Sequence, residues 1–224
     1  MNIEIWSDVI CPFCYIGKAN LETALAGFSG KDTVTVHHRA FRLMPDEAAA
    51  PVEQMLARRY GQSPAQVQAS LRGVEATAAQ AGLEFHLDGT WAGDTTDAHV
   101  LLALAADKGL EADLLNRLYR AYFTETKSVF DRQSLMALGE EVGLMPDEMQ
   151  GALESAELRA RVTADQRQAQ MMQVRGVPFA LIDGKFAVSG AQPPQAFRQA
   201  LDAALKATPI VAEGDVCGPD GCAV

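Results

Sequence analysis

Cysteine is scarce, with four in 224 residues, which excludes a small fold stapled mainly by disulfides. Aromatic residues make up only 7%, and no apolar run approaches the roughly 18 residues of a membrane-spanning helix; Val100–Ala106 is a representative stretch. Basic residues are outnumbered, 19 Lys and Arg against 29 Asp and Glu, for a net charge of −10. A surface of that sign repels phosphate backbones and anionic headgroups, so neither nucleic acid nor a membrane is an expected partner. The phosphate-binding G-x-x-x-x-G-K-[S/T], the zinc-protease H-E-x-x-H and the hydrolase G-x-S-x-G patterns are absent, and those three activities lapse with them. The start, Met1 to Trp6, carries no basic region followed by a long apolar one, so it does not read as a secretory signal and a cytoplasmic location is expected.

What is present is an ordinary globular composition, 48% hydrophobic and 21% charged, sufficient for a sizeable core. Ile3, Ile5 and Trp6 open a short strand that ends at Ser7-Asp8. From Cys11 the spacing of Ala19, Leu21, Ala24, Leu25 and Phe28 predicts a helix, broken by Gly27 to Gly30. Val34 to Phe41 predicts a second strand, parallel to the first because a helix intervenes. From Pro51 to about Gln170 strand signals vanish. Ser63-Pro64-Ala65-Gln66 supplies a cap, a first-turn proline and a capping-box glutamine for a helix reaching about Ala81, where Gly82 stops it. Further helices are expected after Asp94, through Leu114 to Tyr122, and after Asp131. Phe179 to Ile182, Asp183-Gly184 and Lys185 to Ser189 predict a hairpin, followed by a helix with Phe197, Leu201 and Leu205 on one face. This order is that of two halves of a small α/β fold with a helical insertion between them.

The cysteines come as two close pairs, Cys11 with Cys14 and Cys217 with Cys222. At a helix N-terminus, unpaired backbone N–H groups and the positive end of the helix dipole stabilise a thiolate, which suits Cys11 as a nucleophile. Pro12 tolerates the first turn, and Cys14 lies on the same face within disulfide reach of Cys11. Inert structural thiols and a four-cysteine zinc site are the rival readings, but neither requires C-x-x-C at a strand-to-helix junction.

The run Trp6-Ser7-Asp8-Val9-Ile10-Cys11-Pro12-Phe13-Cys14-Tyr15-Ile16-Gly17-Lys18, the helical block, and Gly176-Val177-Pro178-Phe179 with Val188-Ser189-Gly190-Ala191-Gln192 resemble the DsbA-like thioredoxin superfamily, in particular its FrnE-like cytoplasmic branch. The likeness covers about residues 2 to 206. It implies an α/β, thioredoxin-like fold with a large helical insertion: residues 1–45 and 166–207 as the thioredoxin-like domain, 46–165 as the insertion and 208–224 as a tail. It also implies a disulfide oxidoreductase or isomerase in which Cys11 attacks and Cys14 resolves, with Pro12 and Phe13 shaping the site. Pro178 would be the cis-proline lying against Cys11, and the Val177 backbone would pair with an extended substrate. Expected partners are protein or peptide thiols and disulfides, with a homodimer left open. No cofactor or metal is implied beyond the cysteines themselves, and glutathione is a candidate co-substrate.

Phe13 stands where DsbA has a histidine, so it offers no charge to a thiolate and a strongly oxidising enzyme is not expected. Reduction or isomerisation is favoured in a glutathione-reduced compartment. Cys217 and Cys222 bracket a Pro-Asp-Gly turn and resemble a second C-x-x-x-x-C pair of FrnE-like proteins, read as a shuttle to the first pair against a metal site or a passive tail. His99 is a candidate to approach the site from the insertion, against an ordinary core or surface role. Asp8 reads as a solvated turn residue, with proton handling as the alternative. His37 and His38 alternate along a strand and so face opposite sides, a poor arrangement for sharing a metal; His86 is isolated. Met44, Met55, Met136, Met171 and Met172 could line an apolar groove or fill core. Two other functions compete: a glutathione-dependent isomerase resembling 2-hydroxychromene-2-carboxylate isomerase, and a chaperone-like or zinc-stabilised binding module without turnover.

Overall fold

The first strand alternates in burial at its start and is then wholly enclosed, with Ile5, Trp6 and Ser7 all buried. In the computed structural model, which describes residues 1–207, β1 (Asn2–Ser7) buries Ile3 and Ile5 on one face of a sheet. The chain then enters α1 (Pro12–Ala26), capped by Cys11 with Pro12 in its first turn, and returns as β2 (Thr35–Ala40), parallel to β1 with Ile3 opposite Val36. β5 (Phe179–Ile182) lies antiparallel on the other side of β1, and β6 (Phe186–Ser189) completes a sheet of order β2-β1-β5-β6. The hairpin turn is made by Asp183 and Gly184, both at positive φ, the conformation a two-residue turn between twisted strands requires. Asp183 also anchors the turn to β1, its carboxylate accepting from Asn2 N–H at 2.6 Å.

Between the halves run α2 (Val52–Tyr60), α3 (Pro64–Gln80), α4 (Thr96–Asp107), α5 (Glu111–Phe123), α6 (Arg132–Glu141), α7 (Pro146–Glu154) and α8 (Ala156–Met171), and α9 (Pro194–Ala207) closes the described chain. The caps fall where the sequence places them. The Ser63 and Gln66 side chains form a reciprocal capping box, Asp131 accepts from Ser134 N–H at 2.8 Å, and Gly82 and Gly109 leave their helices at positive φ. The Asp94 carboxylate takes both the N–H and the hydroxyl of Thr96 at the mouth of α4.

Two expectations need correction. The insertion is not free of strands: β3 (Ala50–Pro51) pairs with β4 (Trp91–Ala92). Segments this short show no periodicity, and their pairing depends on Gly93, where a Cβ would lie 2.6 Å from Ala49 Cα. Along α9 the buried stripe is Phe197, Leu201 and Ala204, while Leu205 is 44% exposed, because one residue further turns the side chain about 100° away.

Two cores result. One joins Ile3, Ile5, Ala180 and Ile182 of the sheet to Leu21 of α1 and Phe197 and Leu201 of α9. The other is built mainly by α4 to α7, yet takes in Val9, Ile10, Cys11, Cys14, Ile16 and Ala40. α8 runs unbroken through residues 165 and 166 and is stitched to the sheet: Asp165 accepts from Trp6 Nε1–H through its carbonyl and from Ala40 N–H through its carboxylate.

Candidate active site

β1 delivers the chain to a tight turn in which Cys11 N–H donates to the Asp8 carbonyl at 3.2 Å, and α1 starts immediately, with Cys14 N–H donating to the Cys11 carbonyl at 3.0 Å. This places both sulfurs in the first turn of α1, where both thiols are free. Cys11 is 4% and Cys14 2% exposed. Only Cys11 borders a groove; Cys14 lies behind it. Burial pushes the Cys14 thiol well above its ordinary pKa, and its hydrogen bond and charge interaction with Cys11 push the same way.

The Val177–Pro178 bond is cis, and the Val177 carbonyl lies 3.8 Å from Cys11 Sγ. α1 reaches this loop through Gly17, where a Cβ would come within 2.9 Å of Pro178 Cγ. Phe13, 44% exposed, stands at the mouth beside Pro12. Cys11, Pro12, Phe13 and Cys14 at the start of α1 are thus brought together with Val177 and Pro178, just before β5, by two segments far apart in the chain. Cys217 and Cys222 lie outside the described residues.

Tyr15, next to Cys14, fixes α1 to the helical block. Its ring stacks 4.7 Å from Tyr119 and 5.6 Å from Phe85, and Phe85 stacks in turn on Phe123 at 4.5 Å.

Asp8 is no solvated turn residue: it is 0% exposed. One carboxylate oxygen accepts from Leu43 N–H at 2.7 Å, and the other lies 3.3 Å from Nε2 of His99, itself buried on α4. The Tyr119 hydroxyl donates to the Asp8 carbonyl at 3.5 Å. His99 therefore meets the site through Asp8 and not through the sulfurs. The sequence carries a hint of this, a carboxylate set between Trp6 and the apolar pair Val9-Ile10, but its partners lie at positions 43 and 99.

The groove, of about 400 Å³, runs from Cys11 and Val177 past Leu43, Met44, Met55 and Leu71, with Arg59 among its lining. Met44 and Met55 thus belong to it; Met136, Met171 and Met172 do not, and Met171 is 72% exposed. A second cavity, of about 340 Å³ and polar, opens between β2, α4 and α8 and is bordered by His37, His38, His99, Glu111 and Asp165. Both histidines of β2 border it, although they alternate along the strand. Nδ1 of His38 is out of solvent reach without a hydrogen-bond partner, and desolvation lowers that ring's pKa to about 3. His86 pairs with Glu84 at the surface. Among the described residues no group of three His, Cys, Asp or Glu side chains is arranged to hold a metal, and no helix is long and apolar enough to cross a membrane.

The family model for the DSBA-like thioredoxin domain matches residues 2–202. The crystal structure of a probable DsbA oxidoreductase from Streptomyces coelicolor superposes with a TM-score of 0.89 at 42% identity, covering 100% of this chain and 99% of that one. The uncharacterized protein YwbO of Bacillus subtilis (strain 168) is 30% identical over 209 residues, 90% of this chain and 96% of its own. Two solved structures share the fold at lower identity. Cytosolic disulfide reductase DsbM from Pseudomonas aeruginosa has a TM-score of 0.63 at 20%, covering 92% of this chain and 99% of that one. 2-Hydroxychromene-2-carboxylate isomerase has 0.65 at 16%, covering 92% and 97%.

Proposed function

This chain belongs to the DSBA-like thioredoxin domain family, and we propose that it is a dithiol oxidoreductase, of the FrnE-like cytoplasmic kind, that reduces or isomerises disulfides in proteins and peptides. The observation that carries this reading is the asymmetry of the two thiols: Cys11 borders the groove, while Cys14 is buried behind it and held protonated. Cys11 thiolate attacks a substrate disulfide and one substrate sulfur leaves with the electron pair of the broken bond. Cys14 then gives up its proton and attacks Cys11 Sγ, which releases the second substrate sulfur as a thiol and leaves a Cys11–Cys14 disulfide. Two electrons pass to the substrate, and an external dithiol or two glutathione molecules return them. In isomerisation, a substrate thiol takes the place of Cys14 in the second step.

The groove supports polypeptide as substrate. Leu43, Met44, Met55 and Leu71 offer an adaptable apolar wall beside the nucleophile, and the Val177 carbonyl presents an acceptor to an extended chain. Cys217 and Cys222 are assigned to relay electrons to Cys11–Cys14.

The test is trapping. A Cys14→Ser variant incubated in cell extract retains its partners as mixed disulfides on Cys11, to be identified by non-reducing mass spectrometry. Several protein partners are the expected result, and loss of redox cycling in a chain lacking residues 216–224 supports the relay. One observation favours a second reading: a groove of this volume also suits a small molecule. Glutathione alone on Cys11, with isomerase turnover surviving Cys14→Ser, would select a glutathione-dependent isomerase instead. An empty Cys11 would leave a binding module without turnover.

A further inference from the structure

The groove beside Cys11 is apolar with one exception. Leu43 and Met44 form part of its wall, and one side of α2 forms another, where Val52, Met55, Leu56, Arg59 and Tyr60 follow the three-and-four spacing of a single helical face. α2 encloses none of its residues fully, so this face is left open along the groove. Of the acidic and basic side chains among the described residues, Arg59 is the one that lines it.

Two arginines stand in the last turn of α2, where the negative pole of the helix favours cations. Either would serve that purpose, but their surroundings differ. Arg58 is held by the Glu47 carboxylate at 2.8 Å and does not border the groove. Arg59 lies 3.8 Å from the other oxygen of Glu47, beyond hydrogen-bond range, and is half exposed. An ion pair at that distance on the surface contributes little to stability. The planar fork of donors on Arg59, which suits a carboxylate held through two parallel bonds, is thus loosely engaged at the rim of an apolar trough.

We propose that Arg59 is a specificity residue, which selects polypeptide disulfides carrying an aspartate or glutamate close to the reacting half-cystine. The inference rests on the oxidoreductase reading above and narrows its substrate class. Attraction at a distance is not the cause, because the chain as a whole carries a charge of −10 and repels an acidic peptide. A preference for acid has to come from contact, and the groove offers one cation to make it. The length of the wall sets the reach. From Val52 to Tyr60, α2 rises about 12 Å at about 1.5 Å per residue, a span that an extended chain crosses in about four residues. A carboxylate within roughly that many residues of a sulfur joined to Cys11 therefore comes into range of the guanidinium. Arg59 acts on binding; the exchange of bonds at sulfur is left to Cys11 and Cys14.

The test uses the reduced full-length protein and short peptides oxidised to symmetrical disulfides. Cys11 and Cys14 give two electrons to each peptide disulfide, which becomes two thiols while the protein dithiol becomes a disulfide, so no other reductant is needed. Each peptide has a central cysteine and, at a single position up to about four residues to either side, Glu or its isostere Gln. Chromatography of quenched samples over a range of peptide concentrations separates the half-saturating concentration from the saturated rate. At the favoured position the Glu peptide should half-saturate at about fivefold lower concentration than its Gln twin, the upper range for a partly exposed ion pair, with the saturated rate within about twofold. Arg59→Gln should abolish that preference, and Arg59→Glu should transfer it to a peptide with Lys at the same position. Arg58→Gln, which removes the same charge one residue away, should leave it intact. Equal behaviour of every Glu and Gln pair in the unsubstituted protein overturns the proposal, as does a preference that survives Arg59→Gln or is lost equally in Arg58→Gln. Glutathione disulfide, which has carboxylates of its own, is the companion probe: dependence on Arg59 for it and for no peptide also overturns the proposal. Failure of every one of these disulfides to oxidise Cys11 and Cys14 would instead overturn the oxidoreductase reading itself.

Discussion

Cys11 and Cys14 are three residues apart and chemically unlike, because one borders an opening and the other is enclosed. That difference has a thermodynamic signature. The folded-state pKa of Cys14 lies well above the ordinary value of 9.0, with burial as the chief cause. A thiol held protonated in the folded chain but free to ionise in the unfolded one contributes stability that is intact below the unfolded pKa and is lost as pH rises. The reduced protein should therefore weaken by about 1 kcal/mol between roughly pH 9 and 10, as the unfolded thiol passes from half to mostly ionised, before the buried phenols of Tyr119 and Tyr122, also pushed up, join the decline. Urea unfolding across that range checks it: Cys14→Ala should lack the slope, and an equal slope in both proteins would show that Cys14 is not its source. The dithiol was legible in the sequence because it sits in a local C-x-x-C pattern, whereas Pro178 was assigned its place against Cys11 only through the family resemblance. Asp8 was not legible, since its burial is decided by Leu43 N–H and by His99, which no local pattern connects to it.

Among the elements, α1 carries most of the site and is positioned by what it lacks. Gly17 costs the helix propensity, up to about 1 kcal/mol against alanine, but a Cβ there would press on the Pro178 ring at 2.9 Å. A ring cannot swing aside as a long side chain can, so overpacking, typically about 1–3 kcal/mol, should outweigh the helical gain. Gly17→Ala is expected to lower stability by about 1 kcal/mol, read from the urea midpoint, and to slow attack by Cys11; a more stable variant would mean that the helix and loop are loosely packed. Elements with strong end signals were readable in advance, as the Ser63–Gln66 capping box and the Asp183-Gly184 turn illustrate. β3 and β4 were not, because two residues cannot display a period and their pairing is settled by the close approach of Gly93 to Ala49.

At the scale of the molecule, the sulfurs belong to the core of the helical block and not to that of the sheet. The sequence order suggests a helical block set into a thioredoxin-like frame, yet Val9, Ile10, Cys11, Cys14 and Ile16 are packed in the core that α4 to α7 build. Removing the block would strip the active turn of its surroundings and expose a large apolar face. A chain in which a short linker replaces residues 46–165 should show no cooperative thermal transition by circular dichroism, and a sharp transition would mean that the frame stands alone. Such sharing between distant segments is invisible to periodicity, which reports the buried face of an element and not what covers it. The ring stack that binds α1 to the block carries this further. Tyr15 adjoins Cys14 and is seated by Tyr119, while Phe85 and Phe123 complete the pile. The halves are therefore not interchangeable parts: a graft of α5 or of the active turn from another protein of this architecture would need to bring matching rings with it, or the dithiol would be re-seated by its new neighbour.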